Sequence, residues 1–283
     1  MKKILLTILV ASSLSVSAQE MTSKTITIND HPLHYYQIGN TGTPLVLLTG
    51  YATTSNFWPQ NFVDCLAQQH QVYLLDYRGI NTNESAIKES QTIYSMASDT
   101  NAFVNHLKLK KVSLIGWSMG GAVALTASTN HHYQKLYLLA PLLPTSQALL
   151  YPFKTHNEFK SESDVLNYVF ANNLYRYESS ELKAQQSRFI NPQLKTLFPS
   201  GEIIAKQSAA IPTWQYESQN AYQFKHNTAP AVFWLPQQDS IINEQIAEVV
   251  AKNYPHSTIY RLPNSGHAVA WQDSEKICHA IAE

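Results

Sequence analysis

Fifteen consecutive residues, 111–125, restrict this chain to a narrow set of folds. The apolar run Lys111-Val112-Ser113-Leu114-Ile115 is followed by Gly116-Trp117-Ser118-Met119-Gly120 and then by the Ala-rich run Gly121-Ala122-Val123-Ala124-Leu125. The pattern predicts a buried strand, a tight turn and a helix, with a serine at the apex of the turn. Glycines on both sides of Ser118 let the backbone reverse without a Cβ clash, so a G-x-S-x-G turn in this setting lifts the serine Oγ above a sheet edge.

The surroundings of that turn repeat its logic. Short apolar runs at Leu45–Leu48, Val72–Leu75, Val112–Ile115, Leu136–Leu139, Val232–Leu235 and Thr258–Leu262 alternate with helical segments near 57–69, 92–108, 119–131, 243–253 and 271–282. Strands that are apolar on both faces and separated by helices predict a mostly parallel sheet. Residues 24–39 instead alternate apolar and polar around Asn29-Asp30-His31-Pro32, which predicts an antiparallel hairpin. From Leu142 to about Thr228 the chain has helical periodicity, many aromatics and no strand-like run, as in a helical cap inserted between two strands. Most of its aromatics, among them Tyr168, Phe170, Tyr175, Tyr177, Trp214, Tyr216 and Tyr222, are expected to form a core of the cap's own, with a minority lining an acyl pocket.

The N-terminus places Met1-Lys2-Lys3 before the apolar run Ile4–Leu14 and ends in Val16-Ser17-Ala18, the three parts of a secretory signal. Cleavage is expected after Ala18, giving a signal peptide at 1–18, a first core segment at 19–141, a cap and linking helix at 142–228, and a second core segment at 229–283. The apolar run is shorter than the roughly 20 residues needed to span a bilayer, so no stable membrane anchor is expected after cleavage. Without Lys2 and Lys3 the chain keeps 18 basic against 20 acidic residues, which provides no cationic surface for nucleic acid and favours a small-molecule substrate. Cys65 and Cys278 fall in helices expected on one face of the sheet; an exported protein is able to oxidise such a pair, but two buried thiols are the favoured reading.

A serine hydroxyl needs a base to become a nucleophile, and the base needs an acid to orient it. His267, in Pro263-Asn264-Ser265-Gly266-His267 directly after the last strand, is the base. Asp239, in the loop leaving the preceding strand, is the acid; it stands 121 residues after the serine and 28 before the histidine. Asp76 and Asp273 are its rivals, the first read as a structural turn with Arg78 and the second as lying inside the last helix, while Asp99 reads as a surface or packing residue. Two backbone N–H groups are needed for the oxyanion of a tetrahedral intermediate: Met119, after the serine, and Tyr51, in the loop Thr49-Gly50-Tyr51-Ala52 after an earlier strand. Trp117 and Gly50 are candidate pocket residues. His131-His132 has no companion ligands, so no metal is assigned.

Together, Gly50-Tyr51, Asp76-Tyr77-Arg78-Gly79, Gly116-Trp117-Ser118-Met119-Gly120-Gly121, Asp239 and Gly266-His267 resemble the α/β-hydrolase superfamily across nearly all of the chain outside the cap. The resemblance implies an α/β fold with an eight-stranded, mostly parallel sheet and a Ser118–His267–Asp239 triad at its C-terminal edge. It implies a carboxylic ester hydrolase that needs no cofactor, and equally accommodates a lactonase, amidase, C–C bond hydrolase or cofactor-free perhydrolase. A non-catalytic ligand-binding relative would lack a triad member, and none is missing. Thr49-Gly50 stands where the family often has His-Gly, and Ile80-Asn81-Thr82-Asn83 replaces a glycine-rich continuation; both blur the subfamily.

Overall fold

A computed structural model describes residues 20–82, 91–144 and 159–282. The predicted signal peptide at 1–18 lies outside them.

Eight strands form one sheet: β1 (Met21–Ile28), β2 (His31–Ile38), β3 (Thr43–Leu48), β4 (His70–Leu75), β5 (Ser113–Trp117), β6 (Lys135–Leu139), β7 (Ala231–Pro236) and β8 (Thr258–Leu262). Their spatial order is β1-β2-β4-β3-β5-β6-β7-β8, with β1 and β2 antiparallel and the six strands from β4 to β8 parallel. The first hairpin closes through Asn29 (φ 49°) and Asp30 (φ 64°), the left-handed pair that matches strand twist in a two-residue turn. His31 and Pro32, expected in the turn, already belong to β2.

The helices of the core are α1 (Gln60–Ala67), α2 (Ile93–His106) and α3 (Met119–Ala127), then, beyond the cap, α9 (Ile246–Asn253), α10 (Val269–Gln272) and α11 (Ser274–Ala282). Within β3, Val46 and Leu48 pack into the cluster holding α2, α3 and α9, and Leu45 and Leu47 into the one holding α1 and α11. This strand is therefore apolar on successive residues because both of its faces are covered, each fully buried leucine contributing about 1.5–3 kcal/mol.

Helices α4 (Glu162–Asn173), α5 (Leu182–Gln186), α6 (Leu194–Leu197), α7 (Gly201–Gln215) and α8 (Ser218–His226) fill the described part of the predicted cap. They do not enclose a separate core. Phe170 and Phe189 pack on Trp271, with ring centroids 5.4 and 4.8 Å away, in the cluster that also contains Trp117 and Phe57. Trp214 joins the opposite cluster and donates Nε1 to Thr126 Oγ1 at 2.9 Å. Tyr216 and Tyr222 are exposed. An insertion this short buries its aromatics most completely against an existing core, which corrects the expectation of an independent one.

Two further expectations change. Cys65 and Cys278 form a disulfide between α1 and α11, their Cα atoms 6.2 Å apart, rather than remaining thiols. The two helices lie on one face of the sheet, as expected, and pack side by side, which brings together cysteines 213 residues apart. Asp99, expected as a surface or packing residue, is a buried ion-pair partner, gripped by the Arg78 guanidinium through Nε (2.6 Å) and a terminal nitrogen (2.7 Å).

Candidate active site

The strand order reverses around β3: the chain passes from β3 to β4 on one side and then to β5 on the other. At such a switch point the loops leaving the two strands part and open a crevice at the carboxyl end of the sheet. Here those loops are 49–54, after β3, and the turn at Ser118, after β5.

Ser118 has φ 55° and ψ −117°, a backbone conformation that costs a non-glycine residue about 1–3 kcal/mol. Fixed contacts hold it there. Its N–H donates to Leu139 O at 3.0 Å, and its carbonyl accepts from Gly121 N and Leu142 N, each at 2.9 Å. Close packing explains the glycines: a Cβ on Gly120 would fall 2.2 Å from Leu48 O, and one on Gly50 would stand 3.3 Å from Ser118 Cβ. Any larger residue at 120 therefore pushes α3 away from the end of β3, while a Cβ at 50 would press on the Trp117 ring and Ser118. Met119 begins α3, so its N–H is among the four amides a helix leaves without an internal acceptor.

His267 Nδ1 lies 2.8 Å from Asp239 Oδ2, and both side chains are 3 % exposed. With Asp239 ionised the ring nitrogen donates, which fixes the tautomer and leaves Nε2 as the basic nitrogen. The other carboxylate oxygen accepts from Ile241 N (2.7 Å) and Ile242 N (2.9 Å), so the loop after β7 orients the acid. His267 is joined to the serine turn through Trp117: the indole Nε1 donates to His267 O at 3.0 Å, and the two rings lie 5.7 Å apart. Trp117 is buried and stacks on Phe57 at 5.2 Å, so it packs beneath the turn.

The loop after β3 is fixed by one hydroxyl of its own and one from the segment after β4. Thr53 Oγ1 donates to Gly50 O at 3.0 Å, and Tyr77 Oη donates to Thr49 O at 3.0 Å. Burial pushes the Tyr77 phenol well above its usual range, so it keeps the proton it donates. Tyr51 is half-buried and packs on the core, and Ala52 follows in the left-handed region at φ 56°.

The rival acids are occupied elsewhere. Asp76 accepts from Ser55 N (2.6 Å), Ser55 Oγ (2.9 Å) and Asn81 Nδ2 (2.8 Å), and lies 2.8 Å from His34 Nδ1. Asp273 separates α10 from α11, where one continuous helix is expected, and accepts from Ser265 Oγ. Among the described residues, no three His, Cys, Asp or Glu side chains gather as metal ligands.

The cap supplies contacts that no local pattern announces. Gln207 Oε1, from α7, accepts from Ala52 N at 2.9 Å. Leu197 O and Thr196 O accept from Thr54 N and its hydroxyl. On the histidine side, Asn173 O accepts from Ala268 N at 2.9 Å, and Gln272 Oε1 accepts from Gly266 N at 2.8 Å and from Tyr175 N at 2.9 Å.

Known proteins resemble this chain in sequence and fold. A provisionally named carbamate hydrolase RutD of Stutzerimonas stutzeri (strain A1501) is 24% identical over 237 residues, 82% of this chain and 87% of its own. The pimeloyl-[acyl-carrier protein] methyl ester esterase of Legionella pneumophila (strain Lens) is 25% identical over 228 residues, 76% and 83% of the two chains. The solved structure of an esterase from Exiguobacterium antarcticum superposes with a TM-score of 0.72 at 22% identity, covering 92% of this chain and 98% of that one. The family model for the alpha/beta hydrolase fold matches residues 43–274, and the chain belongs to that family.

Proposed function

We propose that the protein is an exported serine hydrolase that cleaves carboxylic esters through an acyl-enzyme. The observation that carries this reading is the buried His267–Asp239 pair, tied by Trp117 to a serine held at φ 55° and ψ −117°.

In this scheme Ser118 Oγ attacks the ester carbonyl as its proton passes to His267 Nε2. The imidazolium so formed is stabilised by the Asp239 carboxylate. The carbonyl oxygen becomes an oxyanion facing the Tyr51 and Met119 amides, each such donor being worth about 3 kcal/mol. Collapse breaks the acyl carbon–oxygen bond, and the alcohol leaves with the proton from His267. Water then repeats the sequence: it gives its proton to His267, releases the acid and restores Ser118. No step needs a cofactor.

Turnover of p-nitrophenyl esters from acetate to palmitate, by wild type and Ser118→Ala, tests the reading. Activity lost in the variant supports it, and the chain-length optimum separates a small-ester esterase from a lipase. Equal rates, or no turnover of any ester, overturn it. The RutD relative favours a second substrate, since a carbamate presents the same carbonyl to the same groups; a parallel carbamate assay decides between the two.

Export rests on the 1–18 segment and is supported by the Cys65–Cys278 disulfide, which an oxidising compartment maintains. Cell fractionation with thiol titration of the unfolded protein tests it: the processed chain outside the cytoplasm with no free thiol is expected, and a full-length cytoplasmic chain with two thiols refutes it.

A further inference from the structure

Trp117 ends β5, directly before Ser118, and its one indole ring meets two other parts of the site. On one edge Nε1 donates to His267 O at 3.0 Å. On the other, Cε3 and Cζ3 lie 3.2 and 3.3 Å from where a Cβ on Gly50 would stand, so the benzo edge limits the approach of the loop that carries Tyr51. Phe57 covers the ring face, stacked at 5.2 Å with 8° between the planes, and Phe57 O accepts from Trp271 Nε1 on the helix that follows His267. An indole has no internal torsion, so the spacing of its two edges is fixed.

The His267 turn has other supports, and they lead elsewhere. Ser265 O accepts from Gln238 N in the acid's loop at 3.1 Å, Ala268 N donates to Asn173 O in the cap at 2.9 Å, and His267 O accepts a second bond from Val269 N at 3.0 Å, within the turn itself. The indole bond ties the turn to the strand that carries the nucleophile. That tie is dry: Trp117 is 5 % and His267 2 % exposed, so bulk water does not compete with it. The same burial leaves Trp117 little surface to offer a substrate, the pocket role expected for it.

We infer that Trp117 is a positioning residue: its N–H sets where His267 stands against Ser118, and its benzo edge sets the approach of the Tyr51 loop. The inference rests on the serine hydrolase reading, in which His267 takes the Ser118 proton in acylation and a proton of water in deacylation. Both steps need the same imidazole in the same place. A displaced His267 slows both, which lowers kcat and leaves KM nearly unchanged. Two competing roles predict otherwise: a pocket wall changes KM and the preferred acyl length, and a residue that only packs changes stability alone.

Replacing Trp117 by β-(3-benzothienyl)alanine, introduced by codon suppression, keeps the bicyclic ring and puts sulfur where the N–H was. The quantities compared with wild type are kcat per Ser118 titrated with a fluorophosphonate, KM on p-nitrophenyl acetate, butyrate and octanoate, and the melting temperature. A fall in kcat of about tenfold on all three esters, with KM within about twofold of wild type, is expected. Trp117→Phe keeps an aromatic face for Phe57 and lacks the N–H; the same fall is expected, so the test stands if the sulfur fits poorly. A kcat per titrated site equal to wild type in either folded variant, or a change confined to KM or to one ester, overturns the assignment.

Labelling of Ser118 separates this result from failure of the ester reading. If wild type hydrolyses none of the esters, the rate of its reaction with the fluorophosphonate is read instead, since that reaction also needs His267 as the base. Labelling about tenfold slower in the folded variants retains the Trp117 assignment while the ester reading falls. Equal labelling rates overturn the assignment, and a wild-type chain that is not labelled overturns both.

Discussion

Among the described residues, two histidine–aspartate pairs meet at the same distance, and their surroundings differ. His267 and Asp239 meet at 2.8 Å, and so do His34 and Asp76. A serine even completes the second pair, because Ser23 Oγ lies 2.9 Å from His34 Nε2. Yet Ser23 is exposed on β1, in regular antiparallel register with β2, and a flat strand does not converge two amides on one point. Ser118 sits at a strained turn between a helix start and the loop after β3. Asp76 also holds Ser55 and Asn81, whereas the free oxygen of Asp239 meets only the amides of its own loop. A histidine–aspartate contact with a serine nearby is easily met; the strained backbone at Ser118 is what distinguishes the first pair.

Asparagine at each acid divides the two pairs most sharply. Asp239→Asn is expected to lower kcat about 10³–10⁴-fold, because the wrong imidazole tautomer is then held, with little change in melting temperature. Asp76→Asn should do the reverse: a loss of about 3–5 kcal/mol of stability, read by denaturant unfolding, with kcat within about tenfold of wild type. A large kcat loss at Asp76 without destabilisation would merge the two roles. Fluorophosphonate should label Ser118 alone, so that Ser118→Ala stays unlabelled by intact mass; label recovered on a Ser23 peptide would make the second pair nucleophilic. The smallest effect is expected from Ser23→Ala, which removes an exposed hydroxyl and should change stability by less than about 1 kcal/mol.

Legibility in the sequence follows the range of the interactions. Ser118 and His267 are readable because strand, glycine and turn chemistry lie within a few residues of each, and the sheet is readable because burial on both faces leaves apolar runs. Asp239 needs the chain order of a family as well. The Arg78–Asp99 pair and the Gln207–Ala52 contact have no such signal: each joins segments that only the packed fold brings together, through side chains that also suit a solvent-facing position. For Cys65 and Cys278 the sequence places both helices on one face of the sheet without saying that they touch. The aromatics of 142–228 show the same limit, since composition says that they bury without saying against what.

Six of the cap's attachments share a chemical trait. Thr196, Leu197, Asn172, Asn173, Tyr175 and Arg188 all receive core donors on their main-chain carbonyls, from Thr54, Ser240, Ala268, Gln272 and Gln60. Every amino acid provides that acceptor. Mutation of the side chains at these six positions can therefore leave these contacts in place, whereas Trp214 and Gln207, which bond Thr126 and Ala52 through their side chains, are seats that substitution removes.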